Sequence, residues 1–265
     1  MSRVKGVIDP HAHDEDEMFI GWRGSPMVDR RFLLAALPLG LALGAGGAYI
    51  VASNLSDPGP GAWMTGDTHS VTGYLSNDPH PLIRVPDANA PFGVRTYLVF
   101  AEQKCTSALM LDGVTARPIT ASGVLIERRA RRALEVPIFL DKWLRDADLP
   151  TDAAVANPIP EPLGEAILSG QIMDSKCFFG VMRPARGRTH KACASLCIRG
   201  GVPPSFWVRA SDGREAVLLM TDANGGPLSD TILPLVAEPV RAAGRLVRVG
   251  DLLQFRADAA AFERL

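Results

Sequence analysis

Hydrophobic positions fall along this chain in two patterns, one continuous and one alternating. Residues 32–52 form an unbroken run of 21 uncharged, mostly apolar side chains, and at 1.5 Å per residue such a helix spans about 30 Å of hydrocarbon. Pro38 and the glycines within the run would weaken a helix in water, whereas neighbouring helices compensate for them in a bilayer. Beyond it the apolar stretches are short and alternate with period two, as half-buried strands do. Residues 70–75, 95–100, 116–127 and 133–138 read as strands of a first block, with a short helix over 138–149. Residues 166–173, 206–209, 216–220, 240–249 and 252–256 read as strands of a second block, in which only 190–198 has helical spacing.

Proline and glycine mark the joints. Residues 57–61, Asp-Pro-Gly-Pro-Gly, predict an extended spacer, and the alternate prolines of 157–162 predict polyproline II. The implied layout is a cytoplasmic tail over 1–30, a transmembrane helix over 31–53 and a linker over 54–69. A first β-domain follows over 70–150, a proline-rich linker over 151–163 and a second β-domain over 164–265. The stretch from Pro118 to Leu125 matches that from Pro239 to Leu246 at a constant offset of 121 residues. Each copy carries a glycine, Gly123 or Gly244, inside a strand pattern, as where a small barrel turns a corner. The expected fold is mainly β: a single N-terminal transmembrane helix followed by two tandem small OB-like β-barrels, the second with a short Cys/His-bearing helix.

Charge orients this layout. Arg3, Lys5, Arg23, Arg30 and Arg31 precede the apolar run, and residues 53–83 contain neither Lys nor Arg. By the positive-inside rule the chain is single-pass in the inner membrane, with its C-terminal domains in the periplasm. A cleaved signal peptide is the competing reading, but the lead of about 30 residues is long and acidic for one and no A-x-A site follows. The Arg30-Arg31-Phe32-Leu33 string matches a twin-arginine signal only in part. Ala36, Gly40, Gly44 and Ala48 recur every fourth residue, a smooth helix face suited to a membrane-protein partner. In the tail, His11 and His13 with the acids of 14–17 read as solvated chain, and 18–22 as a docking stretch. With 47% apolar residues and 28 basic against 29 acidic side chains, the chain is neither a disordered polyelectrolyte nor a nucleic-acid binder.

Four cysteines are too few for a disulfide scaffold, but three of them share a spacing with a histidine. Cys177, His190, Cys193 and Cys197 follow C-x12-H-x2-C-x3-C. Thr189 as N-cap and Gly200 as stop frame a helix with His190, Cys193 and Cys197 at i, i+3 and i+7 on one face. Cys177, at a strand end, can fold back to join them. Three thiolates and an imidazole suit Zn²⁺ or Cu(I), and an iron–sulfur centre is a third fit. The same cysteines admit a structural disulfide from Cys177 to Cys193 or Cys197, with Cys105 as a distant further partner, and they admit a redox-active thiol. Residues 175–210 hold seven basic side chains and no acidic one. Arg183, Arg186, Arg188 and Lys191 are thus candidates for binding an anion or an acidic partner and for depressing thiol pKa values. The sequence contains no motif for attached haem, a Rieske cluster, a nucleotide loop or a hydrolytic triad.

The stretch from Gly170 to Cys177, ending Asp174-Ser175-Lys176-Cys177, and the stretch from His190 to Gly201 resemble a signature of exported bacterial OB-like domains. In that uncharacterised family a strand ending DxxC precedes HxxCAxxCI and a double glycine. The resemblance covers residues 164–255, and it implies an exported β-barrel with no established activity. The expected role is a membrane-anchored, non-enzymatic binding or accessory subunit of a membrane-associated redox system. The competing expectation is a thiol–disulfide enzyme using Cys193 and Cys197, against which stands the lack of C-x-x-C and of a thioredoxin-like βαβ pattern.

Overall fold

A computed structural model of the chain describes residues 27–53, 61–107, 111, 113–139, 142–150, 152–180 and 182–265. They fall into two compact units divided after Asp57. In the first, the apolar run forms α1 (Met27–Ser53), with Pro38 inside it. Its Arg30–Ser53 portion is long and apolar enough to cross a membrane. Gly40 and Gly44 have open space around them. The tail residues His11 and His13, the stretch 18–22 and the spacer 54–60 lie outside the described residues.

The second unit begins with a seven-stranded sheet: β1 (Gly61–Trp63), β2 (His69–Ser76), β3 (Leu82–Pro86), β4 (Val94–Ala101), β5 (Arg117–Arg128), β6 (Arg131–Val136) and β7 (Leu144–Asp146). β2 pairs with β3, β3 with β4, β4 in parallel with β6, β6 with β5, and β5 with β2, so five strands close into a barrel. Closure leaves those strands without a free edge to aggregate. Alternation along β5 turns Ile119 and Ala121 inward, where they meet Leu75, Val99, Leu134 and Trp143. A one-turn helix, α2 (Ala153–Ala156), is N-capped by the Asp152 carboxylate and leads into the second sheet. There β8 (Glu161–Asp174) is followed by α3 (Ser175–Phe179) and α4 (Lys191–Arg199), then by β9 (Pro204–Arg209), β10 (Glu215–Thr221), β11 (Pro239–Val249), β12 (Leu252–Arg256) and β13 (Phe262–Arg264). The pairings β8–β9, β9–β10, β10–β12 in parallel, β12–β11 and β11–β8 repeat the first ring.

The repeat visible in eight residues extends through the strand register. Val124 faces Glu135 and Arg128 faces Arg131, while 121 residues on, Arg245 faces Arg256 and Val249 faces Leu252. The parallel pair Leu98–Ala133 recurs as Leu219–Gln254 at the same offset. Gly73 opposite Ile119 recurs as Gly170 opposite Val240, an offset of 97 on the first strand of each ring. Leu82 opposite Leu98 recurs as Ser205 opposite Leu219, an offset of 123 on the second strand. The difference between 123 and 97 is 26 residues of extra chain between the first two strands of the second ring, and all of the Cys/His motif lies there or at its edge. The glycines of the repeat are explained by close approach: a Cβ on Gly123 would run into the Glu135 carbonyl, and one on Gly244 into the Arg256 carbonyl.

Several expectations differ from what forms. Residues 138–149 contain β7 where a helix was expected, with 140–141 outside the described residues. Trp143 is pulled into the core, and β7 takes up the edge of β5 at 119–121, which β6, pairing only with 124–128, leaves open. β3 forms between prolines that masked it in the sequence. The proline-rich stretch 157–162 is shorter as a connector than its composition suggests, because β8 already begins at Glu161 and takes in Pro162 as an early strand residue. The two barrels share one apolar cluster, to which the first gives Leu82, Phe100 and Ile126 and the second gives Phe178, Phe179 and Leu252.

Candidate metal centre

The extra chain of the second barrel starts by turning inward. Asp174 ends β8 and caps α3, its Oδ1 accepting from the Cys177 amide at 2.7 Å. Ser175 donates to the Pro203 carbonyl at 2.7 Å, which ties the start of the insertion to its end. All five residues of α3 are buried, and the helix packs on β1, β5 and β6 of the first barrel. Burying Phe178 and Phe179 there contributes about 1.5–3 kcal/mol each. Cys177 is therefore held on a short, doubly anchored helix rather than on a loop.

The second part of the insertion brings the histidine. Residues Arg188–His190 make a 3-10 turn that runs directly into α4, so Thr189 does not serve as the N-cap and His190 precedes the helix without a side-chain cap. The reason is the imidazole, whose Nε2 lies 2.9 Å from Asp174 Oδ2 and whose placement fixes where the helix starts. Gly200 ends α4 as expected, but through crowding and not through a left-handed turn. A Cβ there would strike the Lys104 carbonyl, and the Thr106 amide donates to the Gly200 carbonyl at 2.8 Å. The first barrel thus lays residues 104–106 directly on the end of the Cys/His helix.

The ligand atoms of Cys177, His190 and Cys193 all lie within 4.8 Å of one another, and so do those of Asp174, Cys177 and Cys197. Cys177 belongs to both groups, one of which also holds His190 and Cys193 and the other Asp174 and Cys197. All four cysteines of the chain are free, so none of the disulfides considered from the sequence is formed. Cys177 instead hydrogen-bonds to Cys197, and that bond, its burial and the Asp174 carboxylate push the Cys177 pKa up. The same hydrogen bond holds Cys197 below the usual thiol range, aided by the ammonium groups of Lys104 and Lys176. Lys104 Nζ donates to Cys193 Sγ at 2.7 Å and lies 3.9 Å from Cys197 Sγ, and the contact with Cys193 raises the lysine's own pKa.

Sequence spacing missed the first barrel's share of this site. Lys176, 1% exposed, donates to the Ala101 and Gln103 carbonyls at 2.7 Å each and pairs with Glu135, which also accepts from Trp63 Nε1 at 2.9 Å. A Lys beside a predicted buried strand end was the available signal for Lys176, but nothing local marked Lys104 or Glu135. Of the basic candidates, Arg188 and Lys191 both reach Glu238, at 3.1 and 2.8 Å. The Arg186 guanidinium lies 4.4 Å from the Trp207 ring centroid, and Arg183 is exposed. The basic stretch therefore meets a carboxylate brought in from outside it.

Among the described residues, the clefts of this unit include two that bear on the cluster and the basic side chains. One of about 410 Å³ is lined by Trp63, Gln103, Lys104, Cys105, Glu135, Lys176, Cys177, Met182 and Cys197, and so opens onto the cluster. The other, about 540 Å³, is rich in arginine, but Arg95, Arg132 and Arg248 on its wall pair with Asp87, Glu127 and Glu161. No protein-family model matches this chain and no curated protein matches it.

Proposed function

We propose that this chain is a membrane-tethered, non-enzymatic metal-binding protein, with its two barrels in the periplasm and a Cys3His centre made by Cys177, His190, Cys193 and Cys197. The observation that carries the reading is the convergence of three ligand atoms, from Cys177, His190 and Cys193, within 4.8 Å, beside an imidazole whose Nε2 is engaged by the Asp174 carboxylate. A proton on Nε2, directed at Asp174, leaves Nδ1 with the free lone pair that a metal requires, the usual carboxylate–histidine–metal order. Three thiolates around a divalent ion leave one net negative charge, and the Lys104 ammonium offsets it. Zn²⁺ and Cu(I) both suit the set. The small-residue face of α1, at Ala36, Gly40, Gly44 and Ala48, fits a role as accessory subunit of a membrane-associated redox system.

The test is elemental analysis of the full-length protein in detergent, purified without chelator. Wild type is expected to hold about one metal ion per chain, His190→Ala to lose it, and Asp174→Asn to bind about 10–100-fold more weakly. Undiminished metal in His190→Ala removes the histidine from the centre. One observation favours a second reading, thiol–disulfide exchange: Cys177 and Cys197 are hydrogen-bonded to each other, which raises the pKa of the first and lowers that of the second. Mass mapping that finds these two cysteines joined in the isolated protein would favour it over metal binding.

A further inference from the structure

The 410 Å³ cleft that opens onto the cluster is lined by four sulfur-bearing residues, and two of them, Cys177 and Cys197, belong to the centre described above. The others are the thiol of Cys105, which is exposed, and the thioether of Met182. Both are placed by contacts to the elements that carry the inner pair. The Met182 amide donates to the Cys177 carbonyl at 3.0 Å, and Cys105 sits between Lys104, which touches Cys193 and Cys197, and Thr106, which is bonded to Gly200. The cleft thus runs from an outer thiol and thioether to an inner pair of buried thiols.

We propose that this cleft is the loading port of the centre and that its cargo is Cu(I), which Cys105 and Met182 receive at the surface and pass inward to Cys177 and Cys197. The proposal rests on the metal-centre reading and adds the identity and route of the ion. Thioether and thiolate together select Cu(I) over harder ions, and a methionine adds little for Zn²⁺. Charge points the same way. Lys104 and Lys176 flank the cleft, with Glu135 as the only carboxylate on its wall among the described residues. A hydrated divalent cation is repelled there, whereas Cu(I) held by the Cys105 thiolate and the Met182 thioether carries no net charge and is not. The transfer is a ligand exchange without redox change. Copper stays Cu(I), the bonds to the Cys105 and Met182 sulfurs break as those to Cys177 and Cys197 form, and the thiol proton displaced from the inner pair leaves to solvent.

The test is stopped-flow uptake of Cu(I) from its bis-bicinchoninate complex by the reduced full-length protein in detergent, with Zn²⁺ uptake measured in parallel. The double variant Cys105→Ser/Met182→Leu changes only solvent-facing side chains, and an unchanged thermal midpoint verifies its fold. We expect its Cu(I) uptake to slow by about tenfold or more while its final Cu(I) content and its Zn²⁺ uptake stay at wild-type values. Cu(I) uptake at the wild-type rate overturns the port, and an equal slowing for Zn²⁺ overturns its assignment to a soft monovalent ion. Wild-type protein that retains neither ion after desalting overturns the metal centre itself, an outcome distinct from the other two.

Discussion

The first barrel passes from β2 to β3 in a tight turn, and the second interrupts the equivalent turn with 26 additional residues. Everything else in the two rings, from the parallel closing pair to the corner glycines, is in the same register. The plain ring demonstrates that closure needs no insertion, so the added chain is free of any duty to complete its own barrel. It uses that freedom to build a site, and it builds it against the other copy: α3 packs on β1, β5 and β6, and Lys104 reaches back to Cys193 and Cys197. Similarity of fold therefore hides a division of labour in which one barrel supplies the candidate ligands and its twin supplies charge, backbone carbonyls and a wall.

The largest effect is expected from Lys176→Met, which removes the ammonium at the joint and leaves Glu135 without its cation. The loss should be about 3–5 kcal/mol, read from urea unfolding of the full chain, because the half-buried Glu135 carboxylate then keeps only its Trp63 hydrogen bond and the Ala101 and Gln103 carbonyls lose their donor. A loss below about 1 kcal/mol would mean the barrels do not depend on this joint. Next comes acid. His80, in the plain turn of the first barrel, is buried against Met220 of the second, and burial pushes its pKa down from 6.5 to about 4. The unfolded chain takes up the proton first, so stability is complete above about pH 6.5 and falls as pH drops through 4, by up to about 3 kcal/mol. Urea midpoints at pH 7.5 and 4.5 should differ less in His80→Gln than in wild type.

Smaller effects probe the symmetry of the twins. Gly123→Ala and Gly244→Ala each force a Cβ against a carbonyl of the neighbouring strand, and each should cost about 1–3 kcal/mol. Unequal losses would show that one corner yields where the other does not. Smallest of all, Arg117→Ala breaks the exposed pair with Asp146 and Arg248→Ala the pair with Glu161, and each should change stability by about 0.2–1 kcal/mol.

Alternation and spacing made much of this legible. The long strands β5 and β11 have one face buried for much of their length, and the eight-residue match disclosed the internal repeat because strand register preserves offsets where sheets pair. The Cys/His set was legible because three of its members lie within eight residues. What stayed hidden depends on packing between distant segments. β7 exists because β5 is longer than β6, and α3 is a helix because Asp174 caps it and the first barrel covers it. Thr189 had the right residue type for a cap, but the Asp174 carboxylate, sixteen residues upstream of His190, had the stronger claim on the geometry.

The burial of α3 also carries a consequence for taking the molecule apart. The module with the longer connector presses two phenylalanines into the flank of its neighbour. A protease cut between the two would expose a greasy scar on both pieces, so neither half is expected to stay soluble alone as readily as the pair does together.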